Sequence, residues 1–349
     1  MRDIGKKIPV GILGATGTVG QKFITLLSHH PYFEIKSLVA SERSAGKKYR
    51  EACGWKQQVQ LPAEIGDMNV LSLEHDLDCT ILFSGLDSSV AGHAESRYAE
   101  KGHWVISNSK NHRMDPDVPL VIPEINPDHY ELVRQQKTPG KIITNPNCST
   151  MFLAMVLAPL HSRFGIDAVS VTTMQAVSGA GYPGVSSLDI LGNVIPLING
   201  EEEKMETETV KILGKPDGTG IRDAAFTVSA QCSRVPVIDG HMETAAVRLE
   251  GSPDLQEVTE VLENFRGLPQ EHNLPSAPAR PVIVLDDPAG PQPLRDLPVY
   301  GGMSAIVGRL RYCPVMGMKM VILGHNTIRG AAGAAVLNGE ALLELGYFE

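Results

Sequence analysis

Up to about residue 150 the apolar positions fall in short, nearly unbroken runs: Ile8–Leu13, Glu34–Ala40, Cys79–Phe83, Trp104–Ser107 and Lys141–Thr144. Brief runs of this kind suit strands buried on both faces of a sheet. Between them, Gln21–Ser28 and Ser89–Lys101 carry helical spacing. Strand and helix in alternation predict a doubly wound parallel sheet. An apolar helical run then covers Met151–Leu160. Beyond it the pattern changes. Ala168–Val177, Thr244–Leu249, Val282–Leu285, Ala305–Tyr312 and Lys319–Leu323 alternate, which predicts a larger, mostly antiparallel sheet. Helices are expected at Glu201–Leu213 and Asp254–Phe265, and the Ala-rich Thr327–Leu345 reads as a helix packing back onto the first unit.

The first apolar run opens directly onto Gly14-Ala-Thr-Gly17-Thr-Val-Gly20 and then a helix. Strand, glycines, helix is the order in which a backbone turn lets a pyrophosphate approach a helix N-terminus. This makes residues 1–147 a Rossmann-type dinucleotide-binding domain, with Gly14, Thr16, Gly17, Thr18 and Val19 as the cofactor turn. After the second run comes Ser41-Glu-Arg43-Ser44. An Arg with hydroxyls at that strand end fits the 2′-phosphate of NADP, whereas Glu42 is the kind of residue that would bind the 2′-OH of NAD. Ser84, just after the third run, occupies the strand end where such sheets bind ligands.

Cys148 lies in Asn145-Pro-Asn147-Cys148-Ser-Thr, between a strand and the long apolar helix. A thiol at a helix N-terminus is expected to have a lowered pKa and a nearby oxyanion site, and Asn147 suits the cap. Thiolate and nicotinamide together suggest hydride transfer at a thioester or thiohemiacetal carbon.

The remaining composition narrows the class. A net charge of −9 and the lack of any basic run argue against nucleic-acid binding. No apolar stretch nears the ~20 residues of a membrane span. Five cysteines without a Cys-x-x-Cys pair, behind a charged Met1–Lys7 unlike a secretory signal, point to the cytoplasm. None of the eleven histidines has a metal-ligand spacing, and no metal site is read.

These motifs, with Gln175-Ala-Val-Ser178-Gly179, Gly181-Tyr-Pro-Gly184-Val, Arg234-Val-Pro-Val-Ile-Asp239-Gly240-His241 and Asn326-Thr-Ile-Arg329-Gly330, follow one another across the chain. In that order they resemble the aspartate-semialdehyde dehydrogenases, in their archaeal and fungal branch. The resemblance implies an α/β fold with a catalytic and dimerisation domain at 148–326, residues 327–349 completing the first domain. It implies NADPH-dependent reduction of L-aspartyl 4-phosphate to L-aspartate 4-semialdehyde, releasing phosphate, for lysine, threonine and methionine synthesis. The enzyme would be a homodimer or homotetramer.

By the same resemblance Cys148 is the nucleophile, His241 the acid/base that takes the thiol proton, and Gln175 orients the acyl group. Arg234 grips the substrate carboxylate, and Arg113, assisted by Lys204, the phosphate. Glu201 lies near the ammonium, Asn147 belongs to the substrate site, and Ser178, Gly179 and Asn326 belong to the cofactor site. Asp87 stands where related chains carry Pro, adding a negative charge beside the expected dinucleotide. An acyl-CoA reductase of the malonyl-CoA type, an N-acetyl-glutamyl-phosphate reductase, or a noncatalytic NADP sensor would share this framework. The anion-binding residues Arg113, Arg234 and Lys204 favour a small phosphorylated amino acid.

Overall fold

Strands form where the apolar runs lie. The computed structural model describes residues 5–348, so the start of Met1–Lys7 and the last residue of 327–349 fall outside the described residues. The first sheet comprises β1 (Ile8–Leu13), β2 (Phe33–Val39), β3 (Val70–Leu71), β4 (Ile81–Ser84), β5 (Trp104–Ser107) and β6 (Lys141–Thr144). Its order is β3-β2-β1-β4-β5-β6, parallel throughout. The order reverses between β1 and β4, which leaves a crevice at their C-terminal ends. Helices α1 (Thr18–Leu27) and α2 (Ser88–Glu100) follow β1 and β4.

The second sheet contains β7 (Ile166–Gln175), then, past a small ladder of β8 (Lys215–Pro216) and β9 (Ile221–Arg222), β10 (Thr227–Arg234), β11 (His241–Leu249), β12 (Val282–Val284), β13 (Ala305–Cys313) and β14 (Gly317–Gly324). The order is β10-β7-β11-β14-β13-β12. The outer pairs β10–β7 and β12–β13 are parallel and the inner pairs antiparallel, giving a mixed sheet. Strand β10 has no counterpart among the predicted runs. Its alternating buried positions include Ala230, Cys232 and Arg234, too mild an apolar contrast to stand out.

Between the sheets runs α3 (Cys148–Phe164), buried continuously from Ser149 to Leu160. A helix apolar on all sides has to be a core helix. Asn147 caps its start, so the helix begins three residues earlier than the apolar run, and Gly165 at φ 77° ends it. Gly324, at the end of β14, leaves room for Phe152: an added Cβ would fall 2.0 Å from that ring. Helix α4 (Glu201–Ile212) packs beside α3, and α5 (Leu255–Glu263) near its far end.

The chain finishes in the first unit's core. After a wide turn at Ile328–Ala332, α6 (Gly333–Glu344) packs Ala335, Val336 and Leu342 into the cluster containing Val10, Ile12 and Phe83. Buried Asn338 donates to Asn145 Oδ1 (2.7 Å) and accepts from the Tyr130 hydroxyl. Among the described residues no helix is long and apolar enough to cross a membrane, and no cluster of His, Cys, Asp and Glu could hold a metal ion.

Candidate active site

Sheet topology brings the dispersed motifs to one place. Gln175 ends β7, Arg234 ends its parallel neighbour β10, and the two residues are paired in register. Antiparallel β11 begins at the same end with His241. Cys148 opens α3, which leaves the C-terminal edge of the first sheet. The nearby Arg113, Arg234, Lys204 and Glu201 all act on the charge of the thiol.

The thiol itself departs from expectation. Burial first, and then the charge of Glu201, push Cys148 up to about 12, against the opposing pull of Arg113, Arg234 and Lys204. At the helix N-terminus two amides and the backbone of the capping residue are taken by neighbouring side chains. Asn147 Oδ1 accepts from Ser149 N (2.9 Å) and Thr150 N (3.1 Å), and Glu208 Oε2 accepts from Asn147 N (2.6 Å). Behind the thiol, Gly330 is required by space: a Cβ there would sit 2.8 Å from Cys148 Cβ.

His241 is fully buried. Its Nδ1 accepts from Ala176 N (3.1 Å), so the neutral ring carries its hydrogen on Nε2, which has no partner among the described residues. Burial, then the charges of Arg234 and His325, lower its pKa to about 3 despite Glu201. His241 therefore faces the site as a neutral N–H donor. Direct uptake of the thiol proton at Nε2, the role inferred by resemblance, conflicts with this tautomer. Gly179 packs against both groups: a Cβ there would lie 2.8 Å from Arg234 Nη1 and 2.9 Å from His241 Cε1.

The anion-binding side chains differ in how they are held. Arg234 is buried, donates to Ala176 O (2.8 Å), and makes no ion pair among the described residues. A buried guanidinium without a carboxylate is poised to receive one. Arg113 is also buried, bonded to Glu208 Oε1 (2.9 Å) and Asn108 O (2.7 Å), with Nε unpartnered. Glu201 binds Lys204 Nζ (2.9 Å) and Asn147 Nδ2 (2.6 Å). Burial raises the Glu201 carboxyl, but Lys204, Asn147 and Gln175 outweigh it and hold the pKa below the usual range.

At the first sheet's crevice, Gly14 has φ +77° and approaches the loop after β4 so closely that a Cβ would meet Gly85 O at 2.7 Å. The start of α1 at Gly17 has neither a side-chain cap nor an acidic first turn, which leaves its amides for an anion. Thr16, Thr18 and Val19 are half-buried around it, and Ser41, Arg43 and Ser44 occupy the turn after β2. Asp87 turns out to be the cap of α2, accepting from Ser89 N (2.9 Å). Ser84 is wholly buried and its hydroxyl donates to Glu95 Oε1 (2.6 Å), which engages its side chain within the first unit. Asn326 ties the site loops together, donating to Ser178 Oγ (2.8 Å) and accepting from Gly240 N (2.9 Å).

Two family models cover most of the chain: "Semialdehyde dehydrogenase, NAD binding domain" over residues 9–133 and "Semialdehyde dehydrogenase, dimerisation domain" over 157–329. The aspartate-semialdehyde dehydrogenase of Methanothermobacter thermautotrophicus is 48% identical over 346 residues, spanning 97% of this chain and 99% of its own. That of Schizosaccharomyces pombe is 48% identical over 350 residues, spanning 97% and 98%. The chain belongs to the aspartate-semialdehyde dehydrogenase family. A crystal structure of the Candida albicans aspartate-semialdehyde dehydrogenase with NADP superposes with a TM-score of 0.90 at 45% identity, covering 97% of this chain and 99% of that one.

In this aspartate-semialdehyde dehydrogenase family member, several site-forming residues escaped the sequence reading. Glu208 couples Arg113 to the backbone before Cys148, and Asn108 and Gly330 also complete the site. Glu208 lies on the α4 face seven residues after Glu201, two turns on, and that spacing was the available signal. Gly330 lay inside a quoted motif without an assigned role.

Proposed function

We propose that this chain catalyses the NADPH-dependent reduction of L-aspartyl 4-phosphate to L-aspartate 4-semialdehyde and phosphate through a Cys148 thioester, in lysine, threonine and methionine synthesis. The observation that carries the reading is a buried, unpaired Arg234 sharing the Cys148 site with Arg113, whose Nε has no partner. Together they offer one fork for a carboxylate and one cation for a phosphoryl group. In this reading Glu201 receives the ammonium, Lys204 supports the phosphate, and Gln175 and Asn147 fix the acyl group.

An ammonium against Glu201 offsets the charge that most opposes the thiolate after burial itself. Sulfur then bonds to the acyl carbon, the carbon–oxygen bond to phosphate breaks, and the thiol proton leaves on hydrogen phosphate. The glycine turn of Gly14, Thr16, Gly17, Thr18 and Val19, with Ser41, Arg43 and Ser44 at the ribose end and Ser178, Gly179 and Asn326 nearer the thiol, would hold NADPH. When bound, it supplies hydride to the thioester carbon. The carbon–sulfur bond then breaks, releasing the aldehyde. His241, neutral with its hydrogen on Nε2, donates a hydrogen bond to the thiohemiacetal oxygen, and the Cys148 thiolate released takes up from solvent the proton that the reduction consumes.

The reading also divides the chain into a cofactor domain, 1–147 with 327–349, and a catalytic domain, 148–326. It makes the enzyme a cytoplasmic homodimer or homotetramer. The exposed apolar residues Leu188, Leu191, Val194 and Leu197 supply a surface for self-association.

The test is phosphate-dependent NADP reduction with L-aspartate 4-semialdehyde, beside Cys148→Ser. We expect turnover in the parent and a loss of at least about 10³-fold in the folded variant. Inactivity of folded parent enzyme on this substrate, with turnover on malonyl-CoA and NADPH, would overturn the assignment.

A further inference from the structure

Glu243 has no place in the chemistry above, yet it is the most isolated carboxyl near it. It lies two residues after His241 on β11, and strand alternation turns both side chains to the same buried face. It is 0% exposed, neither carboxyl oxygen makes a well-formed hydrogen bond among the described residues, and the Ser149 hydroxyl acts on it as a looser hydrogen-bond partner. Its register neighbours are Thr173 on β7 and Ile322 on β14. The groups that act on it are Ser149 of α3 and Glu201 of α4, and it in turn acts on Cys232 of β10. Ser149 directly follows Cys148, and its Oγ is likewise buried without a well-formed hydrogen bond among the described residues.

Among the described residues no cation is paired with this carboxyl. Arg113 is held by Glu208 and Asn108, Lys204 by Glu201, and Arg234 by Ala176 O. An ionised carboxylate there would be desolvated and uncompensated, a state that neutralisation relieves. Burial, reinforced by the charge of Glu201, pushes its carboxyl well above the usual range.

We propose that Glu243 is a positioning residue for the nucleophile: a neutral carboxylic acid beneath the first turn of α3 that fixes Ser149 and leaves the site's positive charge for Cys148. Arg113, Arg234 and Lys204 against Glu201 and Glu208 leave one positive charge, three less two. A thiolate at Cys148 brings that sum to zero. A charge on Glu243 would cancel it first.

The inference rests on Cys148 as the nucleophile but not on the substrate, so the thiol is probed directly. Cys148 alkylation by iodoacetamide would be followed against pH in parent, Glu243→Gln and Glu243→Leu, beside kcat and a thermal melt. A carboxamide keeps the shape and neutrality of the acid. Glu243→Gln should retain the neutral-pH alkylation rate and kcat within about 3-fold, while Glu243→Leu loses about 10-fold, the scale of one hydrogen bond. At alkaline pH the parent's alkylation rate should flatten as Glu243 ionises, and that of Glu243→Gln should keep rising. Three results would overturn the proposal: a Gln variant as impaired as the Leu variant, a Gln variant alkylated several-fold faster at neutral pH, or identical alkaline limbs. Should Glu243→Leu fail to fold, the alkaline limbs of parent and Glu243→Gln still decide.

Discussion

At Cys148 two opposing influences meet. A helix N-terminus stabilises a thiolate, whereas burial and a neighbouring carboxylate disfavour it. Here burial and Glu201 outweigh Arg113, Arg234 and Lys204. The balance of these influences favours the protonated thiol, and neutralising Glu201 shifts it toward the thiolate. Glu201→Gln should make Cys148 several-fold more reactive toward iodoacetamide in the free enzyme, because the carboxylate is removed and Lys204 is freed. The same change should raise KM for the aminated substrate by about 10-fold or more, for want of an ion-pair partner. Unchanged alkylation would mean that Glu201 does not govern the thiol.

Single elements deliver this chemistry by their ends. Strands β7 and β10 stop, and β11 starts, where Gln175, Arg234 and His241 are needed. Asn147 serves as cap to α3 and as a hydrogen-bond donor to Glu201. Asn147→Ala should therefore cost about 1 kcal/mol in denaturant unfolding, the usual value of a lost cap. It should also lower kcat, whereas a cap in a remote helix would change stability alone. Much at this scale was legible beforehand: β1, β5 and β6 match their apolar runs, and the Cys148 helix was placed by its composition. Three things were not legible. Strand β10 hides because only Val228 among its buried positions is a large aliphatic, the others being Ala230, Cys232 and Arg234. The inward turn of Ser84 depends on Glu95, eleven residues away on α2. The His241 tautomer depends on a backbone amide sixty-five residues distant. Periodicity reports burial of a local segment and cannot report partners brought in by the fold.

At the scale of the whole molecule, Glu124 and Arg329 form a fully buried ion pair that ties the segment after the second sheet to the first unit. Arg329 donates to both carboxylate oxygens, at 2.9 and 2.6 Å, with neither side chain exposed. Arg329 precedes Gly330, the residue packed against Cys148, so the pair braces the nucleophile from behind. Glu124→Gln should destabilise the protein by about 3–5 kcal/mol, as expected when one partner of a buried pair is removed. Equilibrium denaturation would measure this, and a change below 1 kcal/mol would show that the pair is not a brace.

The return of α6 into the first sheet's core sets a timetable for synthesis. On the ribosome the glycine turn and the strands around it emerge early, yet the helix that covers their Val10, Ile12 and Phe83 emerges only after the whole second sheet. For most of translation that half of the protein shows an apolar face, which the cell's chaperones must shield. Its folding can be completed only after α6 has been made. A chain cut short before Gly333–Glu344 would therefore be prone to aggregate rather than be a slow enzyme.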